Sequence, residues 1–374
     1  MTARQTRVLV VEDSLTVRRR IVEAISAAPE LVVVGEAEDG LRGIDLCHAL
    51  HPDVVTMDLM MPVVTGLAAT EHIMAHCPTP IVVLSAAVNR QEAFSTFDAL
   101  AAGAVDALDK PGAGDSPTAW DERLCAAVKM AARIRVIRHP RARLASAAEM
   151  RSREAPTRLV DDGIRLPRTE AERPRRASCS KRLVAIGGST GAPGAVARIL
   201  RCLPWDYPLP LFVVIHIGPL FSASLSEWLD AQCSMPVRLA VDGELIPRLG
   251  AAVVLMPPAD RHLLVEGGRV RLRGGPERHF CRPSVDVLFE SVAHEIGART
   301  VACLLTGMGN DGAAGLLAIR RAGGDTLAQD EETSAIYGMP QAAIRLGAAA
   351  RVLPIERIAP ALIAAGRAEE RAER

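Results

Sequence analysis

The chain has 374 residues, 49% apolar and 24% charged, and its 44 Lys+Arg are offset by 44 Asp+Glu. That length suits two or three domains, each able to bury a core, and the charge balance draws it toward neither nucleic acid nor a membrane surface. Apolar runs such as 211–215 and 251–256 fall far short of the roughly 20 residues of a spanning helix, and the eight scattered cysteines form no C-x-x-C pair, which argues against a zinc ribbon or a disulfide scaffold.

The N-terminal stretch runs straight into a strand-like segment with no small-residue cleavage site, so a cytoplasmic protein with reduced thiols is expected. Residues 7–13, 31–37, 53–58, 80–86 and 104–110 are short, β-branched-rich runs bounded by turn residues. Between them, 15–27, 40–50, 67–76, 91–101 and 119–133 place apolar residues at three- and four-residue spacings. Five βα units predict a parallel sheet covered on both faces, with ligands at the carboxyl ends of its strands.

The pattern dissolves over 134–180. From Arg133 to Arg182 there are fifteen Lys+Arg against six Asp+Glu, the composition of a basic, flexible linker. No aromatic residues interleave the basic ones, so nucleic acid is not an expected partner. Regularity resumes at 181, with strands expected at 181–188, 209–217, 251–258, 299–307 and 325–330. Helical patterns fall at 193–203, 222–232, 285–296, 312–322 and 339–346, and 262–272 reads as a hairpin turning at Gly267-Gly268. The expected domains are 5–133, a linker over 134–180, and 181–366.

In the first half Glu12 and Asp13 follow the first strand and Asp58 ends the third. In a sheet of order 2-1-3-4-5 those strands are neighbours, and the three carboxylates share a pocket. Clustered carboxylates repel unless a cation sits among them, and Mg²⁺, a hard ion with oxygen ligands, fits. Ser85 ends the fourth strand and Lys110 the fifth. Any one of these groups alone reads as solvated or as a helix cap; five at one edge do not. The segments VVEDS, MDLMMP, LSA and DKP resemble the receiver domains of two-component response regulators, a flavodoxin-like fold. That resemblance implies that Asp58 accepts a phosphoryl group from a histidine kinase, that Glu12, Asp13 and Asp58 organise Mg²⁺, and that Ser85 and Lys110 support the phosphate. Thr65 stands where the family usually has Asp.

In the second half Gly187-Gly188-Ser189-Thr190-Gly191 follows a strand and opens a helix. A tight strand-to-helix turn exposes a serine hydroxyl at the sheet edge, and a nucleophilic serine needs a base and an orienting acid. His216 ends an apolar strand, where a histidine is commonly a satisfied core residue. Asp311 follows another strand in a glycine-rich turn, where an aspartate is commonly a helix N-cap. A dinucleotide cradle is the competing reading of the glycine turn, but the ribose-binding acid expected after the next strand is missing.

GGSTGA, IHIGPLFSASLSEWLD, MPPADRHLLV, HFCRPSVDVLFESVA and LLTGMGNDGAAGL, behind a receiver, resemble the chemotaxis-family protein-glutamate methylesterases. The resemblance implies a C-terminal doubly wound α/β hydrolytic domain with an antiparallel hairpin insertion. It makes Ser189 the nucleophile, His216 the base and Asp311 the orienting acid. The amides of Thr190 and Met308 would form the oxyanion hole, and Arg282 and Ser284 would sit in a loop bordering the cleft. The implied reaction is hydrolysis of glutamate γ-methyl esters, and deamidation of glutamines, on chemoreceptor cytoplasmic domains. It needs no cofactor for ester hydrolysis and is activated by phosphorylation at Asp58. Ile215 and Gly188 depart from the family's usual Gln and Ala. The rival readings are a phosphorylation-controlled binding module that no longer turns over and a DNA-binding output.

Overall fold

The computed structural model describes residues 4–86, 90–111, 116–134, 181–218 and 221–370. The expected linker therefore lies outside the described residues, apart from Ile134. The first unit alternates β1 (Thr6–Val11), α1 (Leu15–Ser26), β2 (Leu31–Ala37), α2 (Gly40–Leu50), β3 (Val54–Asp58), α3 (Gly66–His76), β4 (Ile81–Ser85), α4 (Arg90–Ala102), β5 (Asp106–Asp109) and α5 (Pro117–Ala131). Its sheet has the expected order β2-β1-β3-β4-β5, parallel throughout. Polar residues start the helices: Ser14, Asp39 and Thr65 each accept a hydrogen bond from an amide three residues on. Thr65 thus has a local task, the cap of α3.

The second unit begins with β6 (Leu183–Gly188), α6 (Ala192–Cys202), β7 (Leu211–Ile215), α7 (Ser222–Gln232), β8 (Val237–Leu239) and β9 (Val254–Met256). The hairpin β10 (His262–Glu266) and β11 (Arg269–Arg273) follows, then α8 (Val285–Glu295), β12 (Thr300–Leu304), α9 (Ala313–Arg321), β13 (Asp325–Gln329), α10 (Met339–Arg345), β14 (Arg351–Leu353) and α11 (Ile355–Glu370). Seven strands make a parallel sheet of order β14-β13-β12-β6-β7-β9-β8, and β10-β11 is a separate antiparallel pair. The central strands β12, β6 and β7 are buried along their whole length, as their apolar runs require when helices cover both faces.

The order places β6 between β7 and β12, where the winding reverses. In open α/β sheets the ligand crevice lies at the carboxyl ends of such strands. Gly187 makes this junction possible: a Cβ there would lie 2.1 Å from Val285 Cγ1. Replacing Gly187 with Ala is expected to cost about 1–3 kcal/mol through overpacking, read as a lower denaturant midpoint at unchanged slope.

The two units share a core. On α4, Phe97 meets Phe221 edge-on at 6.2 Å between centroids and Trp228 at 5.5 Å. Trp228 Nε1 donates to Asp98 Oδ1 at 3.0 Å, and Arg90 pairs with Glu227 at 2.8 Å. The first unit's α4 is thereby docked on α6 and α7, the helices that start just beyond Ser189 and His216. No helix among the described residues is long and apolar enough to cross a membrane.

Candidate functional site

At the carboxyl edge of the first sheet, β1 delivers Glu12 and Asp13, β3 delivers Asp58, and β5 leads to Lys110. Carboxylate oxygens of Glu12, Asp13 and Asp58 lie within 4.8 Å of one another. Glu12 and Asp58 are buried and Asp13 is exposed. Lys110 Nζ reaches Asp58 Oδ1 at 2.8 Å and Glu12 Oε2 at 3.0 Å. Burial, then the neighbouring Asp58 charge, pushes Glu12 up to about 7. Burial works against the charge on Lys110, yet Asp58 and Glu12 outweigh it and hold the ammonium above its usual range. Asp58 Oδ2 is buried without a hydrogen-bond partner. An all-oxygen donor set with an orphaned carboxylate oxygen fits a hard divalent cation. Ser85 Oγ donates to Glu92 Oε1 at 3.2 Å, and the Ala86 amide donates to the same oxygen at 2.7 Å. Glu92 lies in α4, the docked helix, a connection with no signal in local sequence.

At the second switch point the β6–β7 ladder ends with Gly188 opposite Ile215, and the His216 amide donates to the Gly188 carbonyl at 3.1 Å. Ser189 and His216 are therefore the next residues on adjacent strands. On the other side, the Ser189 amide donates to the Thr306 carbonyl at 3.0 Å, fixing the serine between the loops after β7 and β12. Gly307 packs so closely that a Cβ there would lie 2.8 Å from Ser189 Cβ. The Thr190 and Met308 amides flank this serine, and neither donates to an acceptor among the described residues.

His216 Nε2 bonds Asp311 Oδ2 at 2.8 Å. In the neutral ring Asp311 takes the N–H, so the lone pair stands at Nδ1. That nitrogen faces Cys281 Sγ at 3.5 Å rather than the Ser189 hydroxyl. Burial disfavours the imidazolium, but Asp311 and Cys281 overcome it and raise His216 to about 9. Burial pushes Asp311 up, and His216 more than compensates, with help from the Asp286 amide and the Ser284 hydroxyl, so its carboxyl stays below the usual range.

The helix-cap reading of Asp311 is correct for a different helix. Gly312, left-handed at φ 84°, caps α9, while Asp311 accepts from the Val285 and Asp286 amides at 2.7 and 3.0 Å, at the start of α8. The partial positive charge of a helix N-terminus favours an ionised carboxylate there. Ser284, expected in a loop at the cleft border, is instead fully buried: it caps α8 and donates to Asp311 Oδ1 at 2.8 Å. Arg282 remains at the surface, paired with Asp260 at 2.6 Å, and Pro283 lines a small hollow with Ile215 and Met256 past the end of β7. His279, Asp286 and Asp311 also cluster, but Gly315 N and His279 occupy Asp286, and four donors occupy Asp311. With those lone pairs committed, the cluster is a hydrogen-bond network rather than a metal centre.

A phosphoacceptor-type receiver joined to an α/β sheet with a serine beside a His–Asp pair defines a response regulator with a hydrolase-type output domain. The response regulator receiver domain model matches residues 8–117, and the CheB methylesterase model matches residues 184–362. A protein-glutamate methylesterase/protein-glutamine glutaminase of Anaeromyxobacter dehalogenans is 42% identical over 359 residues, covering 96% of each chain. One of Symbiobacterium thermophilum is 41% identical over 367 residues, again covering 96% of each. The crystal structure of the Thermotoga maritima CheB methylesterase catalytic domain aligns over 50% of this chain and 98% of that one, with 36% identity and a TM-score of 0.47. The chain belongs to the CheB methylesterase family and is an enzyme of that family.

Proposed function

We propose that this chain hydrolyses glutamate γ-methyl esters, and deamidates glutamines, on the cytoplasmic domains of chemoreceptors, with Ser189, His216 and Asp311 as its triad. The observation that carries the reading is the 2.8 Å His216–Asp311 bond at the switch point, with Ser189 on the adjoining strand end. Asp311 holds Nε2 and leaves Nδ1 to accept the Ser189 proton as Oγ attacks the ester carbonyl, once the serine hydroxyl takes the place of Cys281 at that nitrogen. The carbonyl oxygen gains charge, and the free amides of Thr190 and Met308 stabilise it. His216 then gives the proton to the departing methoxide oxygen, which leaves as methanol, or to the amide nitrogen, which leaves as ammonia. Water completes the cycle, leaving a carboxylate. On this reading the enzyme works in the cytoplasm, where receptor tails and a histidine kinase meet it.

The Cys281–His216 contact favours a second reading, in which the thiol is the nucleophile. The free amides argue against it, since they flank Ser189. Loss of turnover in Cys281→Ala with retention in Ser189→Ala would reverse the assignment.

Regulation follows from the receiver. Asp58 attacks the phosphodonor, Lys110 neutralises the incoming charge, and Mg²⁺ held by Glu12, Asp13 and Asp58 would supply further charge neutralisation at the transferring group. Ser85 turning toward the phosphoryl group would give up its bond to Glu92 and loosen α4 from α7. A cavity between the units supports this route: Leu100, Ala104 and Val105 form one wall, and Gly191, Gly194 and Thr306 the other, so the receiver stands beside the nucleophile's turn. A small acyl phosphodonor with Mg²⁺ is expected to raise methanol release about tenfold, a shift of about 1.4 kcal/mol. Asp58→Asn should hold the unstimulated rate whatever the donor; stimulation of that variant would discard the acceptor assignment.

A further inference from the structure

The base has a neighbour that esterase chemistry does not require, and it is itself a nucleophile. Cys281 Sγ lies 3.5 Å from His216 Nδ1, the nitrogen that Asp311 leaves with its lone pair, and 3.4 Å from the His279 carbonyl. Backbone holds the thiol there. Arg278 and Cys281 exchange both their hydrogen bonds, at 3.1 and 2.9 Å, closing a two-residue turn. His279 and Phe280 at its tip have φ of 54° and 61°, a left-handed conformation that residues with a Cβ adopt only at a cost. Such turns normally take Asn-Gly. Strain retained in a turn beside a catalytic base points to a positional requirement on the residue that follows it.

Sulfur, imidazole and carboxylate stand in sequence, so the ring can take the thiol proton as the sulfur attacks. Cys281 is half-buried, open enough for a small reagent. The other described cysteines differ. Burial pushes the Cys125, Cys233 and Cys303 thiols up, while Cys202 is exposed but has no imidazole beside it among the described contacts. In the Cys47–Cys77 pair, the contact with Cys77 lowers Cys47 to about 7 and raises Cys77, but Cys47 is fully buried from a reagent.

We propose that Cys281 is an oxidative modification site for hydroperoxides, and that adding oxygen to its sulfur disables the neighbouring His216. The inference rests on His216 being the esterase base. In the reaction the thiol proton passes to His216 Nδ1 and the thiolate attacks one peroxide oxygen. An S–O bond forms as the O–O bond breaks, and the departing hydroxide leaves as water with the imidazolium proton. Sulfur is oxidised to the sulfenic acid and the peroxide is reduced to water, in the case of hydrogen peroxide. The added hydroxyl then occupies the Nδ1 side of the ring that the Ser189 hydroxyl must reach.

The test treats the full chain with hydrogen peroxide, traps sulfenic acid with a cyclic diketone and locates the adduct by mass spectrometry. Cys281 is expected to react at least about tenfold faster than the more exposed Cys202, and His216→Gln to slow Cys281 alone by a similar factor. Peroxide should remove about nine-tenths of wild-type methanol release, recoverable with a reducing thiol, while Cys281→Ala keeps its own starting rate. Cys281→Ser serves should the alanine variant fail to fold. Labelling of Cys281 no faster than Cys202, or equal peroxide loss in wild type and the Cys281 variant, overturns the proposal. If no form releases methanol, the esterase reading fails on its own and the labelling ratios still decide the thiol.

Discussion

Ser189→Ala is expected to lower methanol release from methylated receptor by at least about 10⁴-fold, with the melting temperature unchanged. The side chain is half-buried and its hydroxyl supports no other described group, so removing it deletes a reacting atom and little else. What anchors the loop is backbone: the Ser189 amide on Thr306 and the His216 amide on Gly188. Alanine keeps both bonds, and the free Thr190 and Met308 amides persist. The residual rate should therefore be the one that oxyanion stabilisation and substrate positioning supply to water attack. Near-wild-type turnover would remove the serine from the mechanism and turn attention to Cys281.

Asp311→Asn is expected to cost about 10⁴-fold as well, equivalent to about 5.5 kcal/mol of transition-state stabilisation. The carboxylate now accepts from His216, Ser284 and two α8 amides. An asparagine NH₂ facing the imidazole reverses that donor pattern and moves the ring's proton to Nδ1, the nitrogen that must accept one from Ser189. Asn also surrenders much of what raises His216 to about 9. A base with that pKa is about 1% neutral at pH 7, so the wild-type rate should climb roughly tenfold per pH unit until it levels near 9. In the variant the limb should move to lower pH. A wild-type rate flat from pH 6 to 9 would contradict the role given to His216.

Strand ends were legible because parallel strands buried on both faces read as unbroken apolar runs, and the first polar residue after each run is displaced to the carboxyl edge. That signal found Glu12, Asp58 and Lys110 in one sheet and Ser189 and His216 in the other. The strands β8 and β14, three residues each and incompletely buried, present no apolar run and escaped, unlike the equally short but fully buried β9. The partners of Asp311 escaped for another reason: Ser284 and the α8 amides lie more than twenty positions upstream, and nothing local in N-D-G announces which helix the carboxylate will cap. Cys281 and His216, 65 positions apart, meet only because a turn folds back across the sheet edge. The docking of α4 was equally silent, since Phe97 and Trp228 each read as ordinary core residues of their own units.

That shared aromatic seam has a colloidal consequence. Undocking the receiver would bare Phe97, Phe221 and Trp228 to water at once, and contiguous oily surface of that kind promotes self-association in proportion to concentration. The stimulated enzyme should therefore be the stickier one, scattering more light than the resting form at equal concentration. Stocks meant for long storage would then keep best without phosphodonor, and a short-lived acyl phosphate would limit crowding losses as well as signal duration.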